Sequence, residues 1–253
     1  MALKISGNIL INKAVELDYP VIECIRQNLP LVDEMLIGIF RSKDGTKELI
    51  ESNFKHQPKV KIFEDDLGLP EGTELGKWLR AYRDFFMDIA VGDWIINIDA
   101  DDFFHERDFD YIRSMAKRYT GAKTIIGFEY KHFYRNPRVR YISPRIWKWK
   151  QPLYPKSSVL STKGTWDGAI MLPRNGDDWY FVEADCYAYH LKRDITQPYD
   201  LDEQGHYLPD VRWIMYDFER MPKEVRKNET RFVWDNYESL KLCKKAPNKM
   251  PGL

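Results

Sequence analysis

The sequence predicts an α/β fold, a doubly wound and mostly parallel sheet followed by a mixed strand and helix region. Three observations carry that expectation. Short apolar runs alternate with helical periodicities through residues 1–105. After Asp102 the pattern changes to strand-like runs and then helices. The 253 residues, 43% hydrophobic and 31% charged, suit one sizeable core with an appended lobe rather than a disordered chain.

Residues 4–11 read as the first strand, and residues 19–28 as a short helix opened by Pro20. The continuous apolar run of residues 35–40 suits a buried parallel strand. Asp44-Gly45 is a turn signal, and Thr46 is placed to cap a helix over residues 46–53. Residues 60–63 form a third strand. A longer helix over residues 74–90 carries Leu75, Trp78, Leu79, Tyr82, Phe85, Phe86 and Ile89 at helical spacing. Gly92-Asp93 then turns the chain into a fourth strand at 94–98. Beyond it, a helix is expected over 108–119 and strands over 124–133, 138–149 and 180–189. Helices are expected over 210–220 and 229–242. The division expected from this pattern is a first half over residues 1–105, where a nucleotide would bind, and a second half over residues 106–253 that shapes a second, acceptor site, in one continuous unit.

Charge excludes one class of function. With 39 Lys+Arg against 39 Asp+Glu, the chain is not a uniformly basic binder of phosphate polymers. The balance is uneven, however: residues 130–166 hold nine Lys/Arg and no Asp or Glu, interleaved with aromatics. Such a stretch suits an anionic acceptor, whether a glycan, a lipid-linked sugar or a nucleic acid, or equally a solvated face of alternating strands. The three cysteines, Cys24, Cys186 and Cys243, have no metal-site spacing and form no disulfide framework. The N-terminus lacks a basic region followed by an unbroken apolar core, and no window approaches the roughly 20 apolar residues that span a bilayer. A cytoplasmic protein is expected, with peripheral attachment to a membrane left open.

The chemistry-bearing segment is Ile98-Asp99-Ala100-Asp101-Asp102, where the fourth strand ends. Ligands of open α/β sheets bind just beyond the carboxyl ends of strands. Clustered carboxylates there repel one another unless a cation or hydrogen bonds hold them, and hard oxygen donors suit Mn²⁺ or Mg²⁺. The alternative is a loop whose Asp residues cap the following helix. No GxGxxG or GxxxxGK[ST] loop is present, which disfavours the common dinucleotide fold and the P-loop.

The order of the parts resembles family-two glycosyltransferases, whose Rossmann-like nucleotide-sugar-binding fold is called GT-A. The resemblance rests on Ile5 to Lys13 as the first strand and on Leu31-Val32-Asp33-Glu34-Met35-Leu36-Ile37. It continues through Ser42-Lys43-Asp44-Gly45-Thr46, Arg83-Asp84, Ala90-Val91-Gly92-Asp93-Trp94-Ile95 and the closing Asp99-Ala100-Asp101-Asp102. It implies a DxD motif in which Asp99 faces the ribose and Asp101 binds the ion, with Asp102 sharing the role. It also implies a nucleoside diphosphate sugar donor and inverting transfer to an acceptor hydroxyl. Arg83 stands at the family's Arg position, with Lys77 and Arg80 on neighbouring turns as further diphosphate contacts or a solvated basic face. Asn12, Lys13 and Asp44 complete the donor side. His190, in Ala188-Tyr189-His190, resembles the late His that completes the metal site in such enzymes.

Two departures stand out. Gly38-Ile39-Phe40-Arg41 lacks the acidic residues that hold the base in relatives, and Met171-Leu172 occupies the place of their His-Glu pair. The nearest candidate base is Asp167, in the Trp166-Asp167-Gly168 turn, with Asp177, Asp178 and Glu183 in reserve. Two rival readings remain open, a nucleotidyltransferase on a related fold and an inactive sugar- or nucleic-acid-binding module.

Overall fold

The computed structural model describes residues 2–64, 73, 75–120, 124–134, 139–142, 153–156, 160–162, 171–173, 180–192, 212–215 and 217–228. In chain order its elements are β1 (Ile5–Ile11), α1 (Val21–Asn28), β2 (Glu34–Ile39), α2 (Thr46–Phe54), β3 (Val60–Glu64), α3 (Leu75–Ile89) and β4 (Trp94–Ile98). Then follow β5 (Asp102–Phe104), α4 (Phe109–Arg118), β6 (Thr124–Tyr134), β7 (Val139–Ile142), β8 (Leu153–Pro155) and β9 (Leu160–Thr162). The last are β10 (Met171–Pro173), β11 (Tyr180–Lys192), β12 (Arg212–Met215) and α5 (Lys223–Lys227).

Strands β3, β2, β1 and β4 lie side by side and parallel, in the order the βαβ pattern demands. All six residues of β2 and all five of β4 are buried, because helices cover both faces. One face stacks Ile5, Ile9, Ile37, Ile39, Ile96 and Ile98 against Val21 and Ile25 of α1, Ile50 and Phe54 of α2, and Ile112 and Met115 of α4. The other face packs Leu36, Phe40 and Ile95 against Trp78, Tyr82 and Phe86 of α3. Each such side chain, fully buried, contributes about 1.5–3 kcal/mol of transfer free energy. Gly38 makes the α3 contact feasible, since a Cβ there would sit 2.8 Å from the Tyr82 ring.

The sheet does not stop at β4. Ten strands run in one sheet, ordered β12-β7-β6-β8-β4-β1-β2-β3, with β11 pairing both β6 and β5. Among the described residues, antiparallel pairings (β4–β8, β6–β8, β6–β7, β7–β12, β5–β11 and the separate β9–β10) outnumber parallel ones. The expected doubly wound, mostly parallel sheet is therefore corrected to a mixed one. The short strand β8 pairs antiparallel onto β4, and β6, β7 and β12 continue the sheet antiparallel beyond it, with no helical crossover among the described residues to force them parallel.

Local expectations fare unevenly. Within residues 210–220, read as a helix, Arg212–Met215 instead form β12 and Phe218–Arg220 a 3₁₀ turn. Pairing with β7 overrides the helical periodicity there. Thr46 does not cap α2: Gly45 does, with φ at 86°, while the Thr46 hydroxyl donates to Asp44 Oδ1 at 2.7 Å. The expected strand at 138–149 is seen only as β7, and the helix expected at 229–242 lies outside the described residues. Among the described residues, no helix is long and apolar enough to cross a membrane.

Candidate functional site

The turn between β4 and β5 carries Asp99 and Asp101, and β5 opens with Asp102. A three-residue strand is too short to be legible as a pattern, yet it decides the site. β5 pairs antiparallel with β11 in a register that sets His190 directly opposite Asp102, and the Leu191 amide donates to the Asp101 carbonyl at 2.9 Å. Two residues 88 positions apart are thereby held as a cross-strand pair. His190 Nδ1 lies 2.7 Å from Asp102 Oδ1 and 3.6 Å from Asp101 Oδ1. Asp101, Asp102 and His190 each place one ligand atom within 4.8 Å of the others, a candidate centre for a metal ion.

The cluster is enclosed. Asp102 is 0% exposed, His190 5% and Asp101 6%, so their charges are poorly screened and need partners. Tyr130 Oη donates to Asp102 Oδ2 at 2.8 Å, and the Asp99 amide donates to the same oxygen at 3.2 Å. The Tyr130 ring also meets the His190 imidazole edge-on at 5.7 Å. Burial, then the charges of Asp102 and Asp99, push the Tyr130 hydroxyl well above its ordinary pKa. Burial followed by the Asp102 and Asp101 charges does the same to the Cys24 thiol. Both groups thus sense negative charge gathered at the turn, the field that a divalent cation would neutralise.

α1 braces the turn from below. Cys24 Sγ donates to the carbonyls of Asp99 at 3.3 Å and Asp102 at 3.1 Å. Asn28 Nδ2 donates to the Asp102 carbonyl at 2.8 Å, while its Oδ1 accepts from the Phe104 amide at 3.0 Å. Neither residue, nor Tyr130, was singled out for the site from sequence. Tyr130 opens the aromatic, basic stretch but carries no spacing signal. Cys24 and Asn28 share one face of α1 at an i, i+4 spacing, which is also ordinary core periodicity.

On the opposite face of β4 lies a second polar group. Asn8 and Asn97 are register partners on β1 and β4, and Tyr154 Oη of β8 donates to Asn97 Oδ1 at 3.2 Å. Arg83 of α3 is 9% exposed, and its charge is felt at the Tyr154 hydroxyl. Among the described residues Arg83 has no hydrogen bond or ion pair, and Asn8 Nδ2 is buried without a partner. A buried guanidinium is a poor arrangement for an empty core and a good one for receiving an anion.

The remaining sequence candidates fall as follows. Asn12 Nδ2 donates to the Phe40 carbonyl at 2.8 Å, and the Lys13 amide donates to Ser42 Oγ at 2.7 Å, tying the ends of β1 and β2 together. Lys13 and Arg41 both have positive φ, 51° and 52°, at those strand ends; such backbone costs about 1–3 kcal/mol each and clusters at functional edges. Lys13 Nζ pairs with Glu16 at 3.0 Å. Asp44 accepts from the Glu16 amide at 2.8 Å and from Thr46. Burial works against the Asp44 charge, but these hydrogen bonds outweigh it and hold the carboxyl below its ordinary pKa. Lys77 and Arg80 are exposed on α3, Arg80 beside Asp84 at 3.6 Å. Of the basic stretch, Lys156 Nζ is bound to the Ala90 carbonyl and Lys131 Nζ lies 3.7 Å over the Tyr187 ring. Glu183 is exposed on β11. Asp167, Asp177 and Asp178 lie outside the described residues.

No family model matches the chain, and no curated protein matches it. Among solved structures it is similar to S. aureus TarS 1-349 in complex with UDP-GlcNAc, at 14% identity and TM-score 0.48, over 76% of this chain and 59% of that one. It is also similar to glucosyl-3-phosphoglycerate synthase from Mycobacterium tuberculosis in complex with Mn²⁺, UDP and phosphoglyceric acid. There the identity is 16% and the TM-score 0.47, over 78% of this chain and 72% of that one. The chain spans about 60% of the length of TarS 1-349. Overlap at this level carries no argument about fold or activity. The expected membership of family two, with its GT-A fold, is corrected: no family model matches, and the sheet is mixed.

Proposed function

We propose that the chain binds a nucleoside diphosphate sugar through a divalent cation and transfers the sugar to an acceptor hydroxyl. The observation that carries this reading is the β5–β11 pairing, which delivers His190 to the carboxylates beyond β4. Carboxylate oxygens with one imidazole form a donor set that fits Mn²⁺ and, less well, Mg²⁺, which prefers oxygen alone. Bound there, a divalent cation neutralises a diphosphate and stabilises charge on the departing nucleoside diphosphate. Arg83, buried and with no hydrogen bond or ion pair among the described residues, supports the same reading as a second cationic contact for that anion.

In this reading Asp99 meets the ribose, and Asp101 with His190 meets the cation. The first half, 1–105, supplies the carboxylates and Arg83, and the second, 106–253, supplies His190 and the acceptor side. Displacement needs a base within hydrogen-bond reach of the acceptor hydroxyl, and Asp167 is the candidate. The nine basic residues of 130–166 favour an anionic acceptor.

The test is hydrolysis or transfer from a panel of nucleoside diphosphate sugars with Mn²⁺ or Mg²⁺. Activity should require the metal and collapse in Asp101→Ala. Full activity of that variant in the presence of EDTA would overturn the reading, and pyrophosphate release from a nucleoside triphosphate would replace it with nucleotidyl transfer.

A further inference from the structure

We propose that Gln27 is a positioning residue for the carboxylate turn and that the segment 217–228 holds it in place, so that a part of the chain remote in sequence orders the site. The geometry stands without a metal; its consequence for metal binding rests on the reading above. Among the described residues β5 has one strand partner, β11. In an antiparallel pair, successive residues turn their backbone groups alternately toward the partner and away from it. The Asp101 carbonyl is turned toward β11 and accepts the Leu191 amide at 2.9 Å. The backbone groups of Asp102 and Phe104 are turned toward α1, which meets them with side-chain amides where a further strand would offer its backbone. Asn28 takes the Asp102 carbonyl and the Phe104 amide, and Gln27 Nε2 donates to the Phe104 carbonyl at 2.9 Å.

Gln27 differs from Asn28 in what stands behind it. It is 3% exposed, and a glutamine amide offers two donors and a carbonyl acceptor. Besides the bond to Phe104, Nε2 donates to Glu106 Oε2 at 3.0 Å, and Oε1 accepts the Glu224 amide at 2.9 Å. Glu106 in turn accepts from the Lys223 amide at 3.0 Å and from Arg226 Nη2 at 2.6 Å. Phe218, Met221 and Val225 of the same segment are buried in the core that includes Cys24 and Ile25 of α1. The orientation of the Gln27 amide is therefore fixed by a residue 197 positions further along the chain. Through it, the anchoring of segment 217–228 is carried to β5, and from β5 to the turn that bears the carboxylates.

The test reads β5 apart from the rest of the sheet. Amide hydrogen exchange is followed at Phe104 and Leu191 in the metal-free protein, with the amides of β2 as internal reference. Gln27→Met keeps the side chain's length and removes its hydrogen bonds. Exchange at Phe104 and Leu191 should quicken about 5–100-fold relative to β2, the cost of a buried acceptor left unpaired. Arg226→Met changes neither α1 nor β5, yet by loosening Glu106 it should quicken the same two amides. Exchange that rises equally in β2, or only at the segment's own amides Val225 and Arg226, would overturn the proposal. Mn²⁺ affinity by electron paramagnetic resonance should fall about 10–100-fold in Gln27→Met, the usual loss for an outer partner of a metal site; an unchanged affinity would overturn the positioning role. If Gln27→Met does not fold, Arg226→Met, at a partly exposed side chain, still decides. Wild-type protein that binds no Mn²⁺ while Phe104 and Leu191 respond as expected would sink the metal reading and leave the hold on β5 standing.

Discussion

Asn28 Nδ2 donates to the main-chain carbonyl of Asp102 at 2.8 Å, and the same side chain accepts from the Phe104 amide at 3.0 Å. One amide thus spans the three-residue strand whose register presents His190 to the carboxylates. The last turn of α1 is in this sense part of the site's frame.

Replacing Asn28 by Ala leaves a buried carbonyl and a buried amide without that partner. Each such group costs about 1–3 kcal/mol. We expect a matching fall in the urea midpoint, together with weaker Mn²⁺ binding, because β5 is no longer held from below. Unchanged Mn²⁺ affinity in a folded Asn28→Ala protein would show that the β5–β11 pairing alone holds the turn.

Arg83 should behave in the opposite way. A buried guanidinium with no hydrogen bond or ion pair among the described residues costs free energy in the ligand-free protein, so Arg83→Met should keep or raise the thermal midpoint. The same substitution should weaken nucleoside diphosphate binding by about 1.5–3 kcal/mol, the range of hydrogen bonds to charged groups. A large loss of stability would mean that Arg83 serves the core and not a ligand.

Glu106 sets an acid limit. Its carboxylate receives Arg226 at 2.6 Å, the Lys223 amide at 3.0 Å and Gln27 at 3.0 Å, fastening α5 to α1. Burial opposes its charge, but hydrogen bonds from its own amide, the Lys223 amide and Gln27 outweigh burial and bring its pKa from 4.5 to about 2. A depressed carboxylate stabilises the fold above its unfolded value and loses that contribution as pH falls through its folded one. Stability should therefore decline between about pH 4.5 and pH 2. Glu106→Gln should be less stable at neutral pH and show a shallower decline over that window in chemical denaturation. An unaltered acid profile would contradict the assignment.

The parallel part of the fold was legible because its physics is local. β1, β2 and β4 are apolar runs of strand length, and Trp78, Tyr82 and Phe86 of α3 repeat at helical spacing. The carboxylates were legible for the same reason, being contiguous in sequence at a strand end. What joins them to His190 was not. Three residues of β5 and three of β8 carry no periodicity, and their antiparallel pairing to β11 and β4 is set by tertiary contact. That is why a mostly parallel sheet was expected and a mixed one is found. Residues 212–215 show the same override, a helical pattern drawn into a strand by β7. Arg83 was set apart in the sequence only by its place in the resemblance; packing buries it, while Lys77 and Arg80 are exposed.

The central claim is that Asp101 and His190 serve a divalent cation that in turn serves a nucleoside diphosphate. Calorimetric titration of the wild-type protein and Asp101→Ala with a panel of nucleoside diphosphates, with and without Mn²⁺, tests it most directly. The account predicts binding of at least one nucleotide that appears only with Mn²⁺ and vanishes in Asp101→Ala. Nucleotide binding of equal strength with and without the metal, retained in that variant, would contradict it.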